Sequence, residues 1–302
     1  MTKIQEKWRE SLIDIKDINF KNIEFNKIIS YPPAGNDVFE CIGKYKGEKV
    51  NFIVKSERGT FADFDNEIKI LNFIKNDFKV PIVIESGKNN DHVYIVLTKI
   101  EGEKLSDILK EDKNADKNKY LYNYGQELAK IHKYKIDWSK AKMRNVNYVP
   151  RKKAYKDFNE WELKVINYLK ETKPKSIKYN TFIHGDFHYG NILWDNYNIT
   201  GILDWEYAGL GFKEQDIAWA LILRPGQEFM KNEKDWNAFL EGYKSIGKYN
   251  ENKLKWCLIN GMLHFYLMNK KNKNEIYLKN LKDNIQLLLN KLSVRWKLWK
   301  QL

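Results

Sequence analysis

Between two apolar runs the chain reads Phe182-Ile183-His184-Gly185-Asp186-Phe187-His188-Tyr189-Gly190-Asn191-Ile192-Leu193-Trp194. A second apolar run, Ile199-Thr200-Gly201-Ile202-Leu203, ends in Asp204-Trp205-Glu206. Phosphoryl transfer asks for little covalent work from a protein. The accepting hydroxyl must be aligned, its proton received, and the phosphate charge neutralised by metal. Asp186 can accept the proton. Asn191 offers a side-chain oxygen and Asp204 a carboxylate, hard ligands of the kind that suit Mg²⁺. A single Asp or Asn in a loop usually caps a turn. What points to a reaction centre is the combination: His-Gly-Asp, Asn five residues after the Asp, and a second Asp after a further strand, all flanked by apolar runs.

The segments around these groups must position them. Ile4, Trp8, Leu12 and Ile15 recur at helical spacing, which predicts a helix over 4–15. Residues 23–29, 38–45 and 50–55 are rich in β-branched and aromatic side chains. Lys46-Gly47-Glu48 between the last two is a turn signal, so an antiparallel meander is expected. Thr60-Phe61-Ala62-Asp63 reads as a capping box, followed by Phe64, Ile68, Leu71 and Ile74 on one helix face. Residues 81–86 and 92–98 read as strands. Beyond Gly102 the pattern is helical: 105–109, 120–132, 158–169, 215–223, 236–243, 254–268 and 276–292. One β-rich interruption falls between 182 and 203, and 110–119 reads as a surface loop. The expected fold class is α+β. A β-rich lobe (1–98) with one key helix precedes a larger, mainly helical lobe (99–302), with a hinge at 98–102.

Composition narrows the function classes. A 302-residue chain that is 43% hydrophobic and 14% aromatic can bury a large core and is not a disordered protein. No apolar run approaches the ~18 residues needed to cross a bilayer. Met1 to Glu10 has no apolar leader core, and Cys41 and Cys257 form no metal-type spacing; a cytoplasmic protein with two reduced thiols is expected. The net charge of +13 is spread as lysines along the whole chain, without an arginine-rich block or a nucleic-acid-binding motif. That reads as a basic surface, with neither nucleic acid nor membrane as partner.

With these residues in view, the chain resembles the aminoglycoside phosphotransferase and choline kinase family, which has a bilobal protein-kinase-like fold. His184-Gly185-Asp186, Asn191, and Ile202-Leu203-Asp204-Trp205-Glu206 match the family signature, and the lobe order extends the likeness over about residues 20–290. The resemblance implies Asp186 as catalytic base, Asn191 and Asp204 as Mg²⁺ ligands, His184 as an architectural residue, and ATP or GTP as donor. It also implies a strand lysine held by a helix glutamate, for which Lys55 and Glu67 stand in order; Asp63 and Glu57 compete for the lysine. The loop between the first two strands, Tyr31-Pro32-Pro33-Ala34-Gly35-Asn36-Asp37, is similar to the Gly-Asn-Asp loop of some aminoglycoside kinases. Phosphate contacts are then expected from amides near Gly35, Asn36 and Asp37, although an ordinary β-turn reads the same way. Backbone groups of Thr98 and Ile100 would meet the adenine edge, with Leu193 and Leu203 in the floor. Asp216 matches a family aspartate that steadies the catalytic region.

The acceptor is the least legible part. Gly211-Phe212-Lys213 stands where many members have Gly-Asp-Pro. From Trp205 to the end there are 10 Asp and Glu against 17 Lys and Arg, a balance unlike that expected around a polycation. Glu206, Glu214, Glu228 and Glu233 can nevertheless line a pocket. Trp219, Trp236, Tyr243, Trp256, Phe265 and Tyr266 can wall an apolar acceptor, though such residues are more often helix core. Trp296 and Trp299 read as packing a final helix. The reading is a small-molecule kinase, monomeric or a weak homodimer, acting on an aminoglycoside-type or other antibiotic. A kinase of choline, an amino acid or a sugar is the alternative, and a non-catalytic nucleotide-binding protein the second.

Overall fold

The computed structural model describes residues 9–59, 62–89, 91–136, 141–144, 157–272 and 274–290. The chain forms two units. One comprises Met1–Gly102 with Leu193–Asp195 and Ile199–Tyr207; the other comprises Glu103–Ile192, Asn196–Asn198 and Ala208–Leu302. Residues 99–102, 193–195 and 199–207, which a boundary at residue 98 assigns to the C-terminal lobe, thus belong to the first unit. Asp204 therefore keeps company with Lys55 and Glu67.

The first unit is built on a five-stranded antiparallel sheet. Its strands are β1 (Ile23–Ser30), β2 (Asp37–Tyr45), β3 (Glu48–Ser56), β4 (Val83–Asn89) and β5 (His92–Thr98), in the order β1-β2-β3-β5-β4. Lys46 and Gly47 both have positive φ, the conformation a two-residue hairpin demands, and this fixes Tyr45 opposite Glu48. Register then dictates faces. Phe39, Cys41, Phe52, Val54, Tyr94 and Val96 fall on one side and are buried. Lys55, one residue on from Val54, falls on the other.

The apolar face is covered by Ile13, Ile15 and Ile18 from the segment before β1. This corrects the helix expected over 4–15. Residues 4–8 lie outside the described residues. Within 9–15 there is no α-helix, only a 3-10 turn, Ile15–Asp17, capped by Asp14. Leu12, a supposed core position, is 49% exposed, whereas Ile13 and Ile15 are buried. A sheet face asking for cover outweighed a weak helical spacing.

Helix α1 (Phe64–Ile74) starts at Asp63, whose carboxylate accepts from the Asn66 N–H. Thr60 and Phe61 of the expected capping box lie outside the described residues. The buried face runs Phe64, Glu67, Ile70, Leu71, Ile74, so Ile70 rather than Ile68 fills the core and Glu67 lies on the inward stripe. The hairpin of β8 (Ile192–Asp195) and β9 (Asn198–Ile202) turns through Asn196 and Tyr197, both at positive φ.

The second unit is mainly helical: α2 (Leu105–Glu111), α3 (Lys117–Lys133), α4 (Glu160–Glu171), α5 (Lys213–Leu221), α6 (Glu233–Ile246), α7 (Glu251–Asn269) and α8 (Glu275–Asn290). It also holds the short strand β6 (Glu103–Lys104) and the antiparallel pair β7 (Thr181–Ile183) and β10 (Gly209–Gly211). The loop expected over 110–119 is shorter, because α2 runs to Glu111 and Asp116 caps α3. The final helix expected around Trp296 and Trp299 lies outside the described residues. Among the described residues no helix is long and apolar enough to cross a membrane.

Helices α3 and α6 lie against each other with backbone almost touching backbone. A Cβ on Gly125 would stand 1.9 Å from the Phe239 carbonyl oxygen, and one on Gly242 would stand 1.9 Å from that of Tyr122. Helix propensity alone favours alanine by about 1 kcal/mol. Prising two backbones apart costs more, about 3 kcal/mol on the scale of overpacked cores. Gly125→Ala is therefore expected to lower stability in thermal or denaturant unfolding; a stabilised variant would show that the helices separate freely.

Candidate active site

In the first unit four ionisable side chains converge. Lys55 Nζ donates to Glu67 Oε2 at 2.7 Å and to Asp204 Oδ1 at 2.8 Å. The two competitors are employed elsewhere: Asp63 caps α1, and Glu57 accepts from the Val93 N–H. Burial alone would lower the Lys55 pKa. The charges of Glu67, Asp204 and Glu206 outweigh it, and the ammonium is held above its ordinary range. Carboxylate oxygens of Glu67, Asp204 and Glu206 all lie within 4.8 Å of one another. Burial, then the Asp204 charge, pushes Glu206 up to about 7, with Lys55 pulling the other way. Asp204 sits at φ 64, a left-handed conformation that Asp tolerates better than most residues.

Glu206 thus corrects one expectation. It belongs with this carboxylate cluster rather than with an acceptor wall. Its backbone carbonyl accepts from Asn66 on α1, and its Oε2 accepts from Asn36 Nδ2 at 3.3 Å. Asn36 comes from the loop expected to cover phosphates. Asp37 from the same loop is consumed structurally: it is 5% exposed, accepts from the Leu12 N–H, and pairs with Arg58 at 2.6 Å. Only backbone at Asp37 remains for a phosphate. Thr98 likewise gives its N–H to the Ile82 carbonyl, so any pairing with a base must use its own carbonyl. The Ile100 side chain lies against Gly201 of β9, and Gly102 approaches Leu193 and Thr200, which brings residues 100–102 onto the β8–β9 hairpin. Leu193 is 9% exposed and Leu203 half-buried.

In the second unit, β7 delivers the loop His184–Asn191. Gly185 at φ 84 makes the bend that a side chain would oppose. Buried Asp216 on α5 accepts from the His184 and Gly185 N–H groups, each at 3.0 Å, and His132 joins it at 3.1 Å. Tyr243 meets the other His132 nitrogen at 2.8 Å, and Tyr124 donates to the Phe187 carbonyl. The loop is therefore fastened through its backbone from α3, α5 and α6. Buried His184 accepts from the Asp186 N–H, and His188 accepts from the Gly190 N–H.

On this loop the Asp186 carboxylate is oriented from two sides. Trp219 Nε1 donates to Oδ1 at 2.5 Å and Asn191 Nδ2 to Oδ2 at 3.2 Å. Asn191 Nδ2 also donates to the Asp186 carbonyl at 3.0 Å. With its nitrogen engaged twice, the Asn191 amide turns its oxygen the other way. In the first unit, the clustered carboxylates of Glu67, Asp204 and Glu206 are oxygen donors of the kind that fit Mg²⁺. Trp219 is a role that sequence reasoning missed. The signal was its place three residues after Asp216, on the same face of α5.

Beside Trp219 stands Arg224. Its Cζ lies 4.4 Å from the Trp219 ring and 4.2 Å from that of Phe265, and it donates to the Trp219 and Ile222 carbonyls at the end of α5. Trp219 and Phe265 are half-buried. Trp236, Tyr243 and Trp256 are core, and Glu214 is buried with the Asn250 N–H as donor. Glu228 pairs with Lys231 at the surface.

Solved structures share the fold. Aminoglycoside phosphotransferase APH(4)-Ia, in ternary complex with ADP and hygromycin B, superposes with a TM-score of 0.63 at 13% identity over 89% of this chain and 93% of that one. ADP-bound aminoglycoside phosphotransferase APH(2'')-Ib gives 0.56 at 15% identity, covering 90% and 94%. The type VIII aminoglycoside-3'-phosphotransferase gives 0.54 at 18% identity, covering 81% and 94%. No curated protein matches the sequence significantly. The model of the Phosphotransferase enzyme family, however, matches residues 34–247, from the Gly35 loop through the His184–Asn191 loop to the end of α6. On that match the chain belongs to the phosphotransferase enzyme family, and it is a small-molecule phosphotransferase.

Proposed function

We propose that the chain transfers the γ-phosphate of ATP or GTP to a hydroxyl of a small molecule, with Asp186 as general base. The observation that carries the reading is the Asp186 carboxylate, oriented by Trp219 and Asn191 on a loop that buried Asp216 fastens through its backbone. Asn191 and Asp204 would hold Mg²⁺, which when bound neutralises charge on the donor phosphates. Lys55, held by Glu67, orders the α- and β-phosphates, and the amides near Gly35 to Asp37 cover them. Thr98 and Ile100 take the base, above Leu193 and Leu203. The substrate hydroxyl gives its proton to Asp186 as its oxygen attacks phosphorus. The free, buried thiols of Cys41 and Cys257 suit a reducing cytoplasm, and a monomer or weak homodimer is the working assembly.

For the acceptor, the aminoglycoside kinases among the structural relatives put an aminoglycoside-type or other antibiotic first. One observation favours the second reading, a metabolite such as choline, an amino acid or a sugar, and within it an acceptor that carries an anionic group: the Arg224 cation stacked on Trp219, whose indole holds the base. The test is ATP- and GTP-dependent phosphorylation across aminoglycosides, macrolides, choline, amino acids and sugars. Mg²⁺-dependent transfer to at least one class is expected. Tight nucleotide binding without transfer to any of them would favour the non-catalytic reading.

A further inference from the structure

The loop expected to cover the donor phosphates has a single glycine, Gly35, between Tyr31 and Val38. None of its residues has a positive φ, so its shape is open to setting by what gathers its carbonyls. Arg9 does this. Its Nη2 donates to three consecutive carbonyls: Ala34 at 2.9 Å, Gly35 at 2.7 Å and Asn36 at 3.0 Å. It also stands 3.6 Å from Asp37 Oδ1. Arg9 is fastened in turn. Leu12 N–H donates to Asp37 Oδ2 at 2.8 Å, and Arg58 Nη1 bridges Asp37 Oδ1 at 2.6 Å and the Glu10 carbonyl at 2.7 Å. Residues 9–12 form a strap laced to the loop through one buried carboxylate.

Peptide geometry gives this strap a consequence. No peptide bond among the described residues is cis. In a planar trans peptide the N–H of the next residue points opposite to the carbonyl. Carbonyls of residues 34–36 gathered on one cation therefore turn the amides of Gly35, Asn36 and Asp37 away from it. Asp37 opens β2 opposite Ser56, so its amide lies at the sheet ladder. The amides of Gly35 and Asn36 are left facing away from Arg9, and the Asn36 side chain reaches Glu206, beside Lys55 and Asp204.

We propose that Arg9 is a positioning residue of the donor site: by gathering three carbonyls it presents the Gly35 and Asn36 amides to the terminal phosphates of the nucleotide. This rests on the reading that residues 35–37 cover those phosphates. The test is calorimetric titration of the full chain with adenosine, ADP and ATP in Mg²⁺, for wild type, Arg9→Met and Arg9→Lys. Arg9→Met is expected to weaken ATP and ADP about tenfold, the scale of one or two lost hydrogen bonds, with adenosine within about twofold. Arg9→Lys, which keeps the charge, recovers part of the loss. Unchanged ATP affinity in a folded Arg9→Met protein overturns the proposal. So does an equal loss for all three ligands with a lowered melting temperature, since Arg9 would then support only the fold. If Arg9→Met fails to fold, the ratio of ATP to adenosine affinity in Arg9→Lys decides: a ratio equal to wild type overturns it. Wild-type protein that binds no Mg-ATP would instead overturn the donor-site reading and the proposal with it.

Discussion

Asp186→Asn is expected to leave the protein folded and its Mg-ATP affinity near wild type, while lowering kcat by about 10³-fold, the scale of a lost general base. Asparagine has the same shape, and its oxygen can still accept from Trp219 Nε1. Asn191 Nδ2 loses its carboxylate partner but keeps the Asp186 carbonyl, so the loop is still closed. The fastening by Asp216 acts on the backbone of His184 and Gly185 and does not involve the Asp186 side chain. What disappears with the charge and the second acceptor oxygen is the capacity to take a proton. Two measurements check this on one sample: the initial rate of γ-phosphate transfer to the best acceptor, and calorimetry with Mg-ATP. Transfer at the wild-type rate would remove Asp186 from the role of base. Loss of nucleotide affinity in step with rate would mean that the substitution damaged the loop instead.

The parts of the site legible in sequence are those whose signals are local. Asp186 and Asn191 stand out because polar residues interrupt two apolar strands, a pattern confined to a dozen positions. Lys55 and Glu67 are legible only through the resemblance to the family; in the structure, alternation along β3 and the inward stripe of α1 put them where that resemblance expects them. Glu206, Trp219 and Arg9 became visible only in three dimensions. Glu206 follows Asp204 by two residues and looks like the start of the acceptor side, yet a left-handed turn at Asp204 and a 3-10 turn after it send its carboxylate to Asn36. Trp219 has the composition of a core residue, and its place one helical turn after Asp216 on α5 is a faint signal beside its contact with Asp186. The strap at Arg9 was hidden by a spurious helical spacing. Leu12 contributed to that spacing and is exposed, whereas Ile13 and Ile15, on which the sheet depends, were read as one turn of the wrong element. The fold class survived such errors because it rests on many strands and helices at once. The acceptor side did not become legible, because its composition of aromatic and charged helix residues is also that of any helical core.

Lys55→Met should separate the chemical and structural uses of one ion pair. Methionine fills similar volume but leaves Glu67, whose side chain is 1% exposed, without the ammonium 2.7 Å away. Breaking a buried pair from one side costs about 3–5 kcal/mol, whereas replacing both partners by apolar groups is often close to neutral. The single variant is therefore expected to melt well below wild type and to bind Mg-ATP weakly. Lys55→Met/Glu67→Leu is expected to recover most of the stability and none of the nucleotide affinity. The sign of the pH dependence follows from the neighbours. Glu206 already sits at about 7 with Lys55 present, above its unfolded value. Removing the cation raises Glu206 and Glu67 further, so the folded state holds extra protons at low pH and loses that advantage as pH rises. The deficit of the single variant, measured without metal, should thus be larger at pH 8 than at pH 5. If the double variant is as unstable as the single one, the cost lies with Asp204 and Glu206 rather than Glu67, and Lys55 serves chiefly to hold those two carboxylates together. Recovery of stability without recovery of binding would mean instead that Glu67 exists to keep Lys55 in place, while the phosphates depend on Lys55 alone.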